Sequence, residues 1–120
     1  MSAEASVVSG IAGRYATALF ELARDNGVLD QVASDASDLG NMIEESDDLG
    51  RLLRSPVIAA EDQGKGIAAV LEKAGASEMI SNFVAVVAQN RRLFALRDMV
   101  RAFRTLLAAH RGEVVAEVTS

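Results

Sequence analysis

Cysteine is missing from this 120-residue chain, so neither a disulfide nor a thiolate metal site can be built. Tryptophan is missing too, and aromatic residues make up only 4% of the chain. A core must therefore be assembled from Ala, Val, Leu and Ile. With a single proline, Pro56, and turns marked by glycine instead, the composition favours a helical bundle over a sandwich of short strands. No apolar run approaches the ~20 residues that cross a membrane as a helix. The opening stretch MSAEASVVSG has neither the basic start nor the long apolar core of a secretion signal. The expectation is a soluble, intracellular protein.

What is present is half apolar, 50% of residues, with a formal net charge of −5 that works against nonspecific nucleic-acid binding. The charge is unevenly spread. Between Val28 and Gly50 there are seven acidic residues and no basic one, whereas Arg91 to Arg111 holds six arginines against Asp98 alone. Such a dipolar surface suits docking against a partner, and equally describes solvated helix faces.

Apolar spacing and punctuation predict six helices. The first runs from about Ser9 to Asn26 and stops at Gly27, and the second follows from about Asp30. The third, Asp47 to Arg54, has Ser46 as N-cap and ends at Ser55-Pro56. The fourth covers about Ala60 to Ala74 and closes at Gly75, weakened by Gly64 and Gly66. The fifth starts at Ser77 as N-cap and runs to about Asn90, and the sixth spans about Leu96 to His110 and stops at Gly112. The tail EVVAEVTS reads as a strand. The expected fold is all-α: a six-helix bundle over residues 1–111, with residues 112–120 as a linker or first strand of a C-terminal domain that the chain does not contain.

The sixth helix is amphipathic in the ordinary way. Leu96, Met99, Val100, Phe103, Leu106 and Leu107 share one face, while Arg97, Arg101 and Arg104 lie on the other. The fifth is different, with six consecutive apolar residues from Phe83 to Ala88. At 100° per residue, Met79, Phe83, Val86 and Asn90 form one strip, and Ile80, Val84 and Val87 lie about 70–100° further round. The first helix repeats the plan. Ile11, Tyr15, Ala18 and Leu22 make one strip, and Ala12, Ala16, Leu19, Phe20 and Ala23 make another. Periodicity admits two readings: central helices buried on most sides, or a second strip left open for a partner's amphipathic helix.

Catalytic motifs are weak. His110 has no cysteine and no acid at a useful spacing, and a contact with a helix C-terminus is the expected role. Gly64-Lys65-Gly66 is not a phosphate loop, because position 59 is alanine and no Ser or Thr follows the lysine. Glu44-Glu45 and Asp47-Asp48 lack the alternation and the glycine of a calcium loop. No catalytic residue, cofactor or metal is expected. The best rival function is nucleic-acid binding through Arg97, Arg101 and Arg104, in a small helical domain.

Two segments carry a resemblance, AGRYATALFELA (Ala12 to Ala23) and VVAQNRRLFALRDMVRAF (Val86 to Phe103). Tyr15-Ala16-Thr17-Ala18-Leu19-Phe20 and Asn90-Arg91-Arg92-Leu93 match, in order and spacing, short motifs of the N-terminal domain of the ATP synthase delta subunit. Its mitochondrial counterpart is the oligomycin-sensitivity-conferring protein. The resemblance extends over Val7 to Ser120, with Ser55-Pro56 at the break between the third and fourth helices. It implies a non-catalytic six-helix bundle of the stator, with a groove between the first and fifth helices that receives the N-terminal helix of an alpha subunit. Tyr15, Ala18 and Val86 match the family's groove positions. Geometry extends the groove to Ile11, Leu22, Met79, Phe83 and Asn90. Peripheral-stalk b subunits would bind mainly through the absent C-terminal domain. The resemblance implies no membrane insertion of its own and a place on the cytoplasmic face of a bacterial inner membrane.

Overall fold

The computed structural model describes the backbone of residues 3–119 and the side chains of residues 10–112. It is all-helical: α1 (Ala3–Asp25), α2 (Leu29–Glu45), α3 (Asp47–Arg54), α4 (Ala60–Ala74), α5 (Glu78–Gln89) and α6 (Leu96–Thr119), with a 3₁₀ turn at Leu93–Ala95 before α6. α1 and α2 both lie along α6, and α4 and α5 form an antiparallel hairpin beside them. Two continuous apolar clusters fill the space between. One joins Leu39, Ile67, Leu71, Val84, Val87 and Met99, and the other joins Ala16, Leu19, Phe20, Val32, Ile80 and Phe103.

The helix ends follow local chemistry. Ser46 caps α3, its Oγ accepting the Leu49 N–H at 3.1 Å. Gly27 (φ 69°) and Gly75 (φ 72°) end α1 and α4 in the left-handed conformation that glycine adopts without a Cβ clash. Gly64 and Gly66, poor helix formers inside α4, sit where neighbours pass close. A Cβ on Gly66 would come within 2.8 Å of Leu52 Cδ2, and one on Gly64 within 3.4 Å of the Ala88 Cβ.

Three expectations need correction. α1 begins at Ala3 rather than about Ser9, since nothing from Ala3 to Val8 breaks a helix. The tail is not a strand: α6 continues through Gly112 to Thr119. A glycine inside a helix costs only about 1 kcal/mol, and a valine-rich segment without a strand partner has no ladder to join. His110 consequently sits within α6, not at its end, and its ring meets the edge of Phe20 at 5.5 Å between centroids.

Among the described residues two polar side chains are buried, and both link elements. Asp35 on α2 accepts from Gln31 Nε2 at 3.2 Å and from the backbone N–H of Ser77 at 2.8 Å. Ser77 is the N-cap of α5 by position, but its side chain makes no capping bond and its Oγ has no hydrogen-bond partner. The cap is supplied by α2 instead. Gln63 on α4 donates to the carbonyls of Leu52 at 2.8 Å and Ser55 at 3.1 Å, pinning the α3–α4 connection.

Candidate functional site

The two apolar strips of α1 and α5 have different fates in the bundle. Ala12, Ala16, Leu19, Phe20 and Ala23 on α1 are buried, as are Ile80, Val84 and Val87 on α5. The other strip reaches the surface on both helices. Ile11 and Tyr15 are half-buried, Ala18 is exposed, and Leu22 is 53% exposed. Met79 and Phe83 are half-buried, Val86 is 49% exposed, and Asn90 is exposed.

These residues come together across the helix pair. Tyr15 and Phe83 meet edge to face, with ring centroids 6.4 Å apart. Asn90 Nδ2 donates to the Tyr15 hydroxyl at 2.9 Å. Ala12 shares a cluster with Val84 and Val87, while Ala16, Leu19 and Phe20 share one with Ile80. α1 and α5 are therefore antiparallel here, with Ile11 towards the Asn90 end and Leu22 towards the Met79 end. From Ile11 to Leu22 the strip is roughly 16 Å long at 1.5 Å per residue, about three helical turns. Arg14, Thr17, Glu21, Arg24 and Asp25 flank it on α1, all exposed.

Chemically, such a strip can bury another apolar surface and do little else. Apart from Asn90 and the Tyr15 hydroxyl it presents no polar group. Among the described residues no group of three His, Cys, Asp or Glu side chains is placed to hold a metal ion. None of the described helices is long and apolar enough to cross a membrane.

The arginine row on α6 is tied to α2. Arg97 meets Glu44 with two bonds, Nε to Oε1 at 2.8 Å and Nη2 to Oε2 at 3.1 Å, and Arg101 lies 3.7 Å from the same carboxylate. Arg111 pairs with Asp30 at 3.2 Å. Two members of the arginine row thus share one carboxylate of the acidic stretch, which makes the row a poorer phosphate-binding edge, although Arg104 has no such partner among the described residues. Sequence reasoning missed Asp35 and Gln63. Each had a signal, since Asp35 falls three residues after Val32 and four before Leu39, and Gln63 falls four before Ile67. Both lie on the apolar stripe of their own helix.

The family described as ATP synthase delta (OSCP) subunit matches residues 11–120. The chain is 58% identical to "ATP synthase subunit delta" of Parvibaculum lavamentivorans over 113 residues, which are 94% of this chain and 58% of that protein. It is 55% identical to the protein of the same name from Agrobacterium fabrum over 112 residues, covering 93% of this chain and 60% of the relative. For that of Rhodopseudomonas palustris the figures are 53% over 119 residues, 99% and 64%. The chain thus spans about three fifths of the length of these curated relatives.

Proposed function

The chain belongs to the ATP synthase delta (OSCP) subunit family, and on that premise we propose that its bundle is a non-catalytic stator element that fastens the catalytic head to the peripheral stalk. The strip formed by Ile11, Tyr15, Ala18, Leu22, Met79, Phe83, Val86 and Asn90 is the groove that receives the N-terminal helix of an alpha subunit. One observation carries this reading. Apolar side chains of two neighbouring helices reach the surface side by side, although each helix already buries a separate apolar strip in the core.

The mechanism is adhesion. Each apolar side chain that a guest helix inserts contributes roughly 1.5–3 kcal/mol before ordering costs, so a few suffice for an attachment that resists torque. Exposed Ala18 lets a guest helix approach closely at the middle of the strip, while Tyr15 and Asn90 offer hydrogen-bonding groups at one end. The matched region is about three fifths of each relative. In this reading the b subunits of the peripheral stalk bind mainly through the part of the protein that lies outside the matched region. The protein is held on the cytoplasmic face of a bacterial inner membrane through the complex, without entering the bilayer.

Calorimetric titration of the chain with a peptide of an alpha subunit's N-terminal helix, against a scrambled peptide, tests the groove. Saturable one-to-one binding with a negative heat-capacity change is expected for the native peptide alone. A folded chain that fails to bind it, or binds both peptides equally, removes the assignment.

A further inference from the structure

Three helices of the bundle end in the same hydrogen-bond pattern. After α1, Gly27 N–H bonds to Arg24 O and Val28 N–H to Ala23 O; after α4, Gly75 N–H bonds to Glu72 O and Ala76 N–H to Leu71 O. After α5, Arg91 N–H bonds to Ala88 O and Arg92 N–H to Val87 O. The left-handed residue is glycine in the first two and Arg91, at φ 59°, in the third. Glycine takes this conformation without a clash, whereas any side chain strains it. An arginine kept where the bundle elsewhere uses glycine points to work done by its side chain.

The surroundings of Arg91 indicate that work. Together with Arg54 it borders a groove of about 610 Å³ between the α3–α4 connection and the 3₁₀ turn. Its apolar lining includes Val57, 89% exposed, and Phe94, 43% exposed. Buried Gln63 holds one wall by its bonds to the Leu52 and Ser55 carbonyls. Among the described residues Arg24, Arg51, Lys65, Arg97, Arg101 and Arg111 have carboxylate partners, whereas Arg54 and Arg91, like Arg14, Lys73, Arg92 and Arg104, have none; of those without, Arg54 and Arg91 line this groove together. In a chain of net charge −5, two unpaired guanidinium groups bordering an exposed apolar lining are complementary to an acidic guest with an apolar side chain.

We infer that this groove, distinct from the α1–α5 strip, docks an acidic peptide segment of a partner protein, with carboxylates on Arg54 and Arg91 and an apolar side chain against Val57 and Phe94. The test uses the ¹⁵N-labelled full chain and a designed helical peptide carrying two leucines flanked by glutamates, with a second peptide in which glutamine replaces every glutamate. The glutamate peptide should shift the amides of residues 55, 57–59 and 91–94. It should bind at least ten-fold more tightly than the glutamine peptide and weaken as salt rises. Arg91→Gly should melt at a higher temperature, because the strain is gone, yet bind the glutamate peptide at least ten-fold more weakly. Phe94→Ala should also weaken it, and Ala18→Asp should leave it unchanged, which separates this site from the α1–α5 groove. Equal binding of both peptides overturns the inference. So does tighter binding of duplex DNA or of phosphatidylglycerol vesicles at the same amides, or sedimentation showing the groove closed by a second copy of the chain.

Discussion

Val84 and Val86 are the same residue two positions apart on α5, yet one is 1% exposed and the other 49%. The same division runs through α1, where Leu19 is buried and Leu22 is not. Hydrophobicity does not distinguish the members of these pairs; angle around the helix does. A rotation of about 200° carries a side chain from Val84 to Val86, out of the core and onto the face shared with Tyr15 and Phe83. α6 provides the contrast. Its Leu96, Met99, Val100, Phe103, Leu106 and Leu107 are buried or half-buried, and Arg97, Arg101 and Arg104 occupy its exposed side. One strip is enough for a helix that only packs; a second needs either burial or a partner.

Substitutions can break this comparison between inner and outer strips. The largest effect is expected from Val84→Asp. An unpaired charge in the core costs about 3–5 kcal/mol, a large part of the ~5–15 kcal/mol that holds a small domain together. The cooperative thermal transition followed by circular dichroism should disappear or fall steeply. On the outer strip, Ala18→Asp should cost the fold less than about 1 kcal/mol, the difference in helix propensity. It should nevertheless weaken the alpha-subunit peptide more than about 100-fold, because the carboxylate would be buried unpaired under the guest. A mutant that kept full affinity would sink the groove assignment.

Milder changes sharpen the contrast. Val84→Ala should lower stability in urea by about 2 kcal/mol, from two methyl groups and the space they leave. Val86→Ala should stay within about 0.5 kcal/mol. Equal costs for the two would mean that the outer strip is packed as tightly as the core. The smallest effect is expected for Asn90→Ala. It removes an exposed bond to the Tyr15 hydroxyl and should shift stability by no more than about 0.5 kcal/mol.

Six helices were legible in the sequence because their apolar periods are strong and α1, α3 and α4 stop at Gly27, Ser55-Pro56 and Gly75. α3 and α4 have the expected bounds. The positions of the inner and outer strips on their helices were legible too, down to Val84 against Val86. Which strip would be covered was not, because periodicity locates a face without naming its neighbour. The end of α6 was misread at Gly112, where one weak helix former was weighed above the good formers around it. At α5 the N-cap position is the expected Ser77, but its bonding was not legible. Ser77 is a good N-cap residue, but the group that reaches the start of α5 is a carboxylate on α2, 42 residues earlier in sequence. Arg91 gave no warning either, since a left-handed arginine looks like any other arginine in a string of letters.

The bond from Ser77 to Asp35 also has a meaning in time. A helix that carries its own cap can start before its neighbours arrive, whereas α5 has its first turn completed by a side chain of α2. The α4–α5 hairpin therefore reaches full stability only once α2 is in place, and it loosens when α2 leaves. Because the chain is synthesised from its N-terminus, Asp35 is made before its partner Ser77, and the bond between them has to wait for both. Hydrogen exchange at the Ser77 amide should therefore follow the undocking of α2 as well as the fraying of α5.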